Sequence, residues 1–414
     1  MTKPDITLYG TSWCGDCKRA KQFFGEQRVH YDFVDVDADA DAMAYVEKVN
    51  DGKQVIPVIV FADGSTLVEP SNAELAEKLG LQTVARRHYY DLIVVGSGPA
   101  GLTAALYAAR EGMETLVVER AGVGGQAGIT EVLDNFPGFP EGVSGADFAD
   151  RLRAQAERFG VEILQAQEVT GLRVDGRFRC VTTGDGEDYR AGAVLLAVGS
   201  TYRRLGIPGE EDFIGAGVHF CATCDGAFYR GKDVLVVGGG NSAGEESIFL
   251  TRFADKVTIV TRDDGLTASK VVQQKVEENP KIEVLTGTAP AEFRGESRLG
   301  SVVLRDVASD DTREVHPDGV FVFIGLTPNS QLVADLVELD EFGFVKTDIG
   351  LQTSVPGIFA AGDVRAGSTK QAASAAGEGA AVALSIRRHL ESAEADDPDD
   401  MTPVAVGGRE RVAN

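Results

Sequence analysis

The sequence predicts an α/β protein of three units: a small βαβαββα domain, then two larger domains that each open with a strand, a glycine turn and a helix. Two observations lead there. Buried apolar strands run into glycine turns at Leu92–Gly101 and again at Val234–Ala243, about 140 residues apart. At 414 residues the chain is also too long for one core, since about 150 residues per domain gives two to four domains.

The composition narrows the function classes. Hydrophobic residues at 43% and charged residues at 25% match an ordinary soluble globular protein. Forty Lys and Arg stand against 64 Asp and Glu, a formal charge of −24 that repels nucleic-acid backbones and anionic lipid surfaces. No nucleic acid and no membrane is therefore expected as a partner. Glycine is frequent, 49 of 414, as suits loops that approach a nucleotide closely. Leu92 to Ala109 is uncharged for eighteen residues, but Gly96, Gly98, Pro99 and Gly101 interrupt it, so a buried βα unit is the reading rather than a membrane span. The first apolar stretch, Ile6 to Tyr9, is far shorter than a signal-peptide core, and a reducing, cytoplasmic location is expected.

In the N-terminal unit, Ile6–Tyr9 reads as a strand, 17–27 as a helix with Ala20, Phe23 and Phe24 on one face, Tyr31–Val36 as a strand and Ala40–Val49 as a helix. Val55–Phe61 and Thr66–Val68 read as a hairpin turning at Asp63-Gly64, followed by a helix capped by Ser71. Residues 81–88 lack apolar periodicity and read as a linker, whose reach is roughly 25 to 29 Å if stretched. Residues 391–414, with six acids in the first ten, read as a disordered acidic tail.

The chemistry sits in five motifs. In Gly96-Ser-Gly98-Pro99-Ala100-Gly101 the first glycine permits a tight turn, the second lets a pyrophosphate touch backbone, and the third lets helix and strand pack closely at a positive helix terminus. Glu119, 23 residues past Gly96 and after the strand Thr115–Val118, is placed to accept hydrogen bonds from a ribose. The second turn, Gly238-Gly239-Gly240-Asn241-Ser242-Ala243, carries Ala at its third position and no acid after its second strand; Arg262 suits a 2′-phosphate, which Asp263 opposes. NADPH is thus favoured over NADH, with NADH as the alternative. Gly362-Asp363, at the end of an apolar strand, suits the ribityl or pyrophosphate edge of FAD.

Four of the five cysteines form two C-x-x-C pairs, a redox or metal spacing. Zinc is disfavoured because the pairs lie more than 200 residues apart in separate units, so no metal is expected. Cys221-Ala-Thr-Cys224-Asp225 supplies what a flavin-fed dithiol requires: two sulfurs and a neighbouring acid to manage protons. Cys14 opens a helix after a strand, where the dipole favours its thiolate, and Cys17 resolves from one turn later. Ile56-Pro57 is a candidate cis bond beside these sulfurs. Cys180 reads as a strand residue without a role.

Residues from about 89 to 392 resemble a low-molecular-weight thioredoxin reductase, through Gly96–Gly101, Gly124-Gly125-Gln126, Asp134-Asn135-Phe-Pro-Gly138, Cys221–Asp225, Gly238–Ala243, Gly362-Asp-Val364 and Lys370-Gln371-Ala372. Residues 1–80 resemble a glutaredoxin of the mycoredoxin type, through Thr11–Cys17, Val55–Pro57 and Phe61–Leu67. A redoxin fused ahead of a reductase is also similar to the flavoprotein subunit of alkyl hydroperoxide reductase.

The resemblance implies a thioredoxin-fold domain (1–80), a linker (81–88), an FAD domain in two parts (89–204 and 318–390) and an NADPH domain (205–317) inserted into it, in a homodimer. It implies that Gly125, Gln126, Asn135, Lys370, Gln371 and Ala372 join the FAD site. It further implies that Cys224 faces the flavin, that Cys221 attacks the incoming disulfide and that Asp225 is the acid/base. Departures are Asp263 and Thr267 where arginines are usual, Lys370 for an arginine, and Asp16 for an aromatic residue.

The function expected is an FAD-dependent disulfide reductase. NADPH would feed FAD, then Cys221/Cys224, then Cys14/Cys17, and finally an outside acceptor: thioredoxin, a peroxiredoxin or a low-molecular-weight disulfide. The alternatives are the same relay driven by NADH or by a protein donor such as ferredoxin, and a flavin-bound redox sensor with little turnover.

Overall fold

The computed structural model describes residues 6–11, 13–130, 132–133 and 135–396, and only the backbone of Thr223, Cys224 and 394–396. The first sheet contains β1 (Ile6–Gly10), β2 (Asp32–Asp35), β3 (Val58–Phe61) and β4 (Thr66–Val68) in the order β2-β1-β3-β4. Helices α1 (Gly15–Glu26), α2 (Ala40–Val49) and α3 (Asn72–Lys78) complete it, in the βαβαββα order read from the sequence. Ser71 caps α3 as expected: its Oγ accepts from Glu74 N at 3.2 Å while Glu74 Oε2 accepts from Ser71 N at 2.8 Å, a reciprocal capping box. Leu8, Phe24, Ile59 and Leu75 are fully buried at its centre, each side chain stabilising the unit by about 1.5–3 kcal/mol.

The linker is not a loose tether. Gln82, Arg86 N and Tyr90 Oη all donate to the Glu162 carboxylate, Gln82 O accepts from Gln165 N, and Arg87 pairs with Glu114. A stretch without apolar period is here ordered by polar contacts to one buried acid, which periodicity does not report.

The second sheet holds β5 (Tyr89–Val95), β6 (Thr115–Val118), β7 (Glu162–Leu164), β8 (Val169–Asp175), β9 (Phe178–Thr183) and β10 (Asp188–Leu196). Strands β7-β6-β5-β10 run parallel; β10 then pairs with β9 over its first half and with β21 (Ile358–Ala360) over its second. Helices α4 (Pro99–Arg110), α5 (Gly125–Ile129) and α6 (Gly145–Arg158) precede β7. The chain leaves through β11 (Ser200–Tyr202).

The third sheet, all parallel, follows the order β12-β19-β13-β14-β15, from β12 (Val218–His219), β13 (Asp233–Val237), β14 (Lys256–Val260), β15 (Ile282–Leu285) and β19 (Gly319–Val322). It carries α7 (Ala222–Asp225), α8 (Asn241–Leu250) and α9 (Lys270–Glu277). Between β15 and β19 lies an antiparallel sheet of β16 (Thr288–Gly295), β17 (Leu299–Asp306) and β18 (Thr312–Val315). The chain returns through β20 (Leu326–Pro328), which pairs antiparallel with β11. That two-stranded ribbon is the double crossing between the two larger units.

Two boundaries are corrected. β19 completes the third sheet, so that unit extends past Val322 and does not close at 317; a Gly-Val-Phe-Val run reads equally well in either sheet until its partners are known. Helix α10 (Ala372–Asp396) carries order through 391–396, where a tail was expected: Glu and Ala are good helix formers, and Glu391 pairs with Arg387 one turn earlier. The remaining tail, 397–414, lies outside the described residues. Helix α10 crosses α4 through small residues: a β-carbon at Gly379 would strike the backbone of Ala100. Among the described residues no helix is long and apolar enough to cross a membrane.

Candidate functional site

The first glycine turn has the shape its spacing predicts. Gly96 takes φ +100°, and a β-carbon there would reach Ala197 O; at Gly101 one would strike Gly96 O. Gly98, the N-cap of α4, has open space where a β-carbon would stand, with Pro99 and Ala100 beginning the helix. A pyrophosphate needs that combination of open backbone and unsatisfied helix N–H groups. Glu119 is buried at the mouth of this turn: Oε2 accepts from Ser97 N at 2.8 Å and Ser97 Oγ at 2.7 Å, and Oε1 from Ala121 N at 2.8 Å. Oε2 is thereby filled, and Oε1 keeps a lone pair for a ribose hydroxyl.

Residues far apart in sequence converge on the same cleft. Asn135 Nδ2 donates to Gln371 Oε1 at 3.0 Å across 236 positions. Gly125 approaches Gly98, so the Gly125-Gln126 helix start borders the pyrophosphate turn. Asp363 follows β21, and burial raises its carboxyl above the usual range despite the ammonium of Lys370 nearby. Lys370 lies over the Phe344 ring at 4.0 Å, donates to the carbonyls of Asp363 and Arg365, and is lowered by burial; Ala372 then opens α10. Asp134 lies outside the described residues.

Glu378 and Arg365 were missed by sequence reasoning. The Glu378 carboxylate accepts from Gly362 N at 2.7 Å and pairs with Arg365 at 2.6 Å, both side chains partly buried, and so clamps the Gly362-Asp363 turn. An acid inside an Ala-rich helix was the available signal.

In the second turn, Gly238 has φ +142° and Ala243 is fully buried beneath it. Gly240 has open space at its β-position, Asn241 Oδ1 accepts from Ser269 N at 2.7 Å, and Ser242 lies exposed on the first turn of α8. Arg262 extends into solvent past β14, its side chain 83% exposed, with Asp263 at 3.9 Å.

Where the two units meet, Cys221 is disulfide-bonded at the start of α7; the side chain of Cys224 lies outside the described residues. His219 Nε2 is 2.7 Å from Tyr229 Oη, and Tyr229 is raised to about 12, burial first. Tyr202, on the ribbon, stacks on Phe220 at 5.2 Å. Burial pushes its phenol up to about 12, helped by the carboxylates of Asp363, Asp225 and Glu246. That shift identifies a common neighbourhood for the FAD-side acid, the acid beside the cysteine pair and α8. None of His219, Tyr229 or Tyr202 stood out as functional in sequence, because each acts through partners on other elements.

In the small domain Cys14 N-caps α1, and its Sγ accepts from Cys17 N at 3.1 Å. Ile56–Pro57 is cis, and Ile56 O lies 3.9 Å from Cys14 Sγ. Both thiols are free, and burial, then the hydrogen bond with Cys14, push Cys17 up to about 12. Asp16 turns to Arg19 at 3.1 Å, away from the sulfurs. Lys21, over the Phe33 ring at 3.0 Å, acts by its charge to lower Cys17 against burial, another residue the sequence did not single out. Ser12 lies outside the described residues. Cys180 is buried and free in β9.

Comparison with known proteins decides the family. The model for pyridine nucleotide-disulphide oxidoreductases matches residues 90–379, and the glutaredoxin model matches 6–66. Thioredoxin reductase from Treponema pallidum is 44% identical over 303 residues, 73% of this chain and 98% of that protein. The chain belongs to the thioredoxin reductase family. A bifunctional thioredoxin reductase/thioredoxin from Mycobacterium leprae is 43% identical over 307 residues, 74% of this chain and 67% of that protein. Among solved structures, thioredoxin reductase from Streptococcus pyogenes is 40% identical with a TM-score of 0.71, covering 74% of this chain and 99% of that one.

This thioredoxin reductase homologue is thus an oxidoreductase whose cofactors are FAD and NADPH, with a glutaredoxin domain ahead of its reductase part. The first cleft fits FAD: Gly98 is open, Glu119 is buried with a lone pair to spare on Oε1, and Asp363 follows β21, tied through its carbonyl to Lys370, the neighbour of Gln371. The second turn fits a dinucleotide through Gly238 and Gly240.

Proposed function

We propose that this chain is an NADPH-driven disulfide reductase that delivers electrons through its own glutaredoxin domain. FAD, when bound, supplies the two-electron link between NADPH and the Cys221/Cys224 disulfide. From there the chain's own groups act. Cys221 attacks the Cys14–Cys17 disulfide, a mixed disulfide forms, and Cys224 displaces it, leaving Cys14 and Cys17 as thiols. Asp225, oriented by His219, takes and returns the proton that the exchange requires. Cys14 then reduces an outside disulfide and Cys17 resolves the product.

The observation that carries this reading is the pair of sulfur centres in one polypeptide: a disulfide-bonded Cys221 beside Asp225, and a Cys14 thiol held at a helix N-terminus by Cys17 N. Trp13, 68% exposed beside Cys14 with its indole donating to Asp37 at 2.8 Å, offers a flat platform for the acceptor. The acceptor class is a thioredoxin-type protein, a peroxiredoxin or a low-molecular-weight disulfide, in a reducing cytoplasm, with the enzyme as a homodimer. Rotation about the β11/β20 ribbon would let the nicotinamide and the cysteine pair alternate at one flavin face. In support, Lactococcus lactis thioredoxin reductase in its "FR conformation" is 39% identical over a similar span yet has a TM-score of 0.52, against 0.71 for the Streptococcus pyogenes enzyme.

An acceptor screen scored by NADPH consumption tests the reading. Turnover with at least one disulfide, abolished in Cys14→Ser while flavin reduction persists, is expected. Slow NADPH oxidation with every acceptor would instead mark a redox sensor.

A further inference from the structure

The glutaredoxin domain reaches into the flavin site through one side chain. Arg28 follows α1 with φ +56°; Arg28 N donates to Gly25 O at 3.1 Å and Val29 N to Phe24 O at 2.8 Å. This is the helix ending that glycine ordinarily closes, because a left-handed residue with a β-carbon is disfavoured. Here an arginine takes it, and its side chain crosses to the next domain.

The guanidinium Nη2 donates to Gly122 O at 3.1 Å and Gly125 O at 3.4 Å. Around it Gly122 N donates to Glu26 O at 2.6 Å, and Gln27 Nε2 to Arg120 O at 3.2 Å. Gly122 and Gly128 both lack β-carbons where one would press on this side chain. The carboxylates of Asp150 and Glu119 support its charge against burial. On its other face the same segment touches the pyrophosphate turn: Gly124 N donates to Ser97 O at 3.0 Å, and Gly125 abuts Gly98. Residues 122–128 therefore lie between Arg28 and the Gly98 turn. The contact is incomplete, for Arg28 Nε and Gln27 Oε1 are buried without hydrogen-bond partners, and such groups weaken an interface.

We propose that Arg28 is a positioning residue of the FAD site, so that docking of the glutaredoxin domain and retention of FAD are coupled. It rests on the reading of the first cleft as the FAD site. Coupling is reciprocal: bound FAD, by ordering 122–128, strengthens the docking it depends on.

The test uses the full-length holoprotein. Arg28→Gly removes the side chain and places the favoured residue at the left-handed position, so the domain folds; Arg28→Lys keeps the charge on a shorter side chain without the planar guanidinium. FAD release is followed by recovery of flavin fluorescence on dilution, and docking by protease cleavage near the exposed Val84 with and without FAD. Release should accelerate roughly tenfold in Arg28→Gly and about threefold in Arg28→Lys, at the scale of one or two lost hydrogen bonds. FAD should protect the linker of the wild type and not that of Arg28→Gly. Release rates within about twofold of wild type in both variants would overturn the coupling while leaving the FAD site intact. A wild-type protein that binds no FAD would overturn both readings.

Discussion

His219 faces Asp225, with Nδ1 3.4 Å from Oδ2 and both side chains largely buried. Through Nε2 the same ring reaches the hydroxyl of Tyr229, so the acid beside the cysteine pair ends a chain of three side chains. A buried network of this kind fixes the direction of a carboxylate and gives its proton a path. Asp225→Asn should slow reoxidation of the Cys221/Cys224 dithiol by on the order of 100-fold, the usual scale for loss of a general acid/base. His219→Ala should cost less and displace the pH profile of acceptor reduction. Stopped-flow reduction of the flavin by NADPH should be unchanged in both.

Two glycines three residues apart, Gly98 and Gly101, make the FAD site and the fold separable. Gly101→Ala drives a methyl into Gly96 O and should destabilise the protein by about 1–3 kcal/mol, read as a lower melting temperature. Gly98→Ala projects into open space at an ordinary φ of −67° and should keep the melting temperature of apoprotein while losing bound flavin, read by absorbance. Equal flavin content in Gly98→Ala and wild type would contradict the assignment of the pyrophosphate position.

Asp263 beside the exposed Arg262 predicts a tunable choice of donor. Removing the acid, Asp263→Ala, should lower KM for NADPH by about two- to fivefold, the range of a surface charge effect, and leave NADH unchanged. Arg262→Ala should raise KM for NADPH roughly tenfold, as expected for one charge-assisted contact to phosphate.

The sulfurs of the glutaredoxin domain should differ in alkylation. Cys17 is fully buried and its thiol is pushed up to about 12, so it stays protonated through neutral pH; Cys14 is the sulfur that iodoacetamide meets at pH 7. Peptide mapping should find Cys17 modified at least roughly 100-fold more slowly. Its raised value also sets a sign for stability. Below about pH 9 native and unfolded thiols are both neutral; above it the unfolded thiol ionises first, so stability falls as pH rises from about 9 toward 12.

The legible parts were those written in local pattern. The strand-glycine-helix turns, the Ser71 cap, the Ala40–Val49 helix and both cysteine pairs each follow from spacing within about thirty residues. What the sequence hid was proximity. Tyr202, His219 and Glu378 acquire meaning only when residues 10 to 161 positions away fold against them. Arg28 looks like any basic residue after a helix until its partners, 94 and 97 positions later, are in place. The linker failed to read as ordered because polar anchoring to Glu162 leaves no hydrophobic period.

The relay itself has one direct readout. Protein oxidised at both pairs should hold one thiol per chain, Cys180, when counted after denaturation, and five after anaerobic reaction with NADPH. In Cys221→Ser, Cys14 and Cys17 should stay oxidised on that timescale even though the flavin bleaches. Reduction of Cys14 and Cys17 in Cys221→Ser at the wild-type rate would contradict the relay.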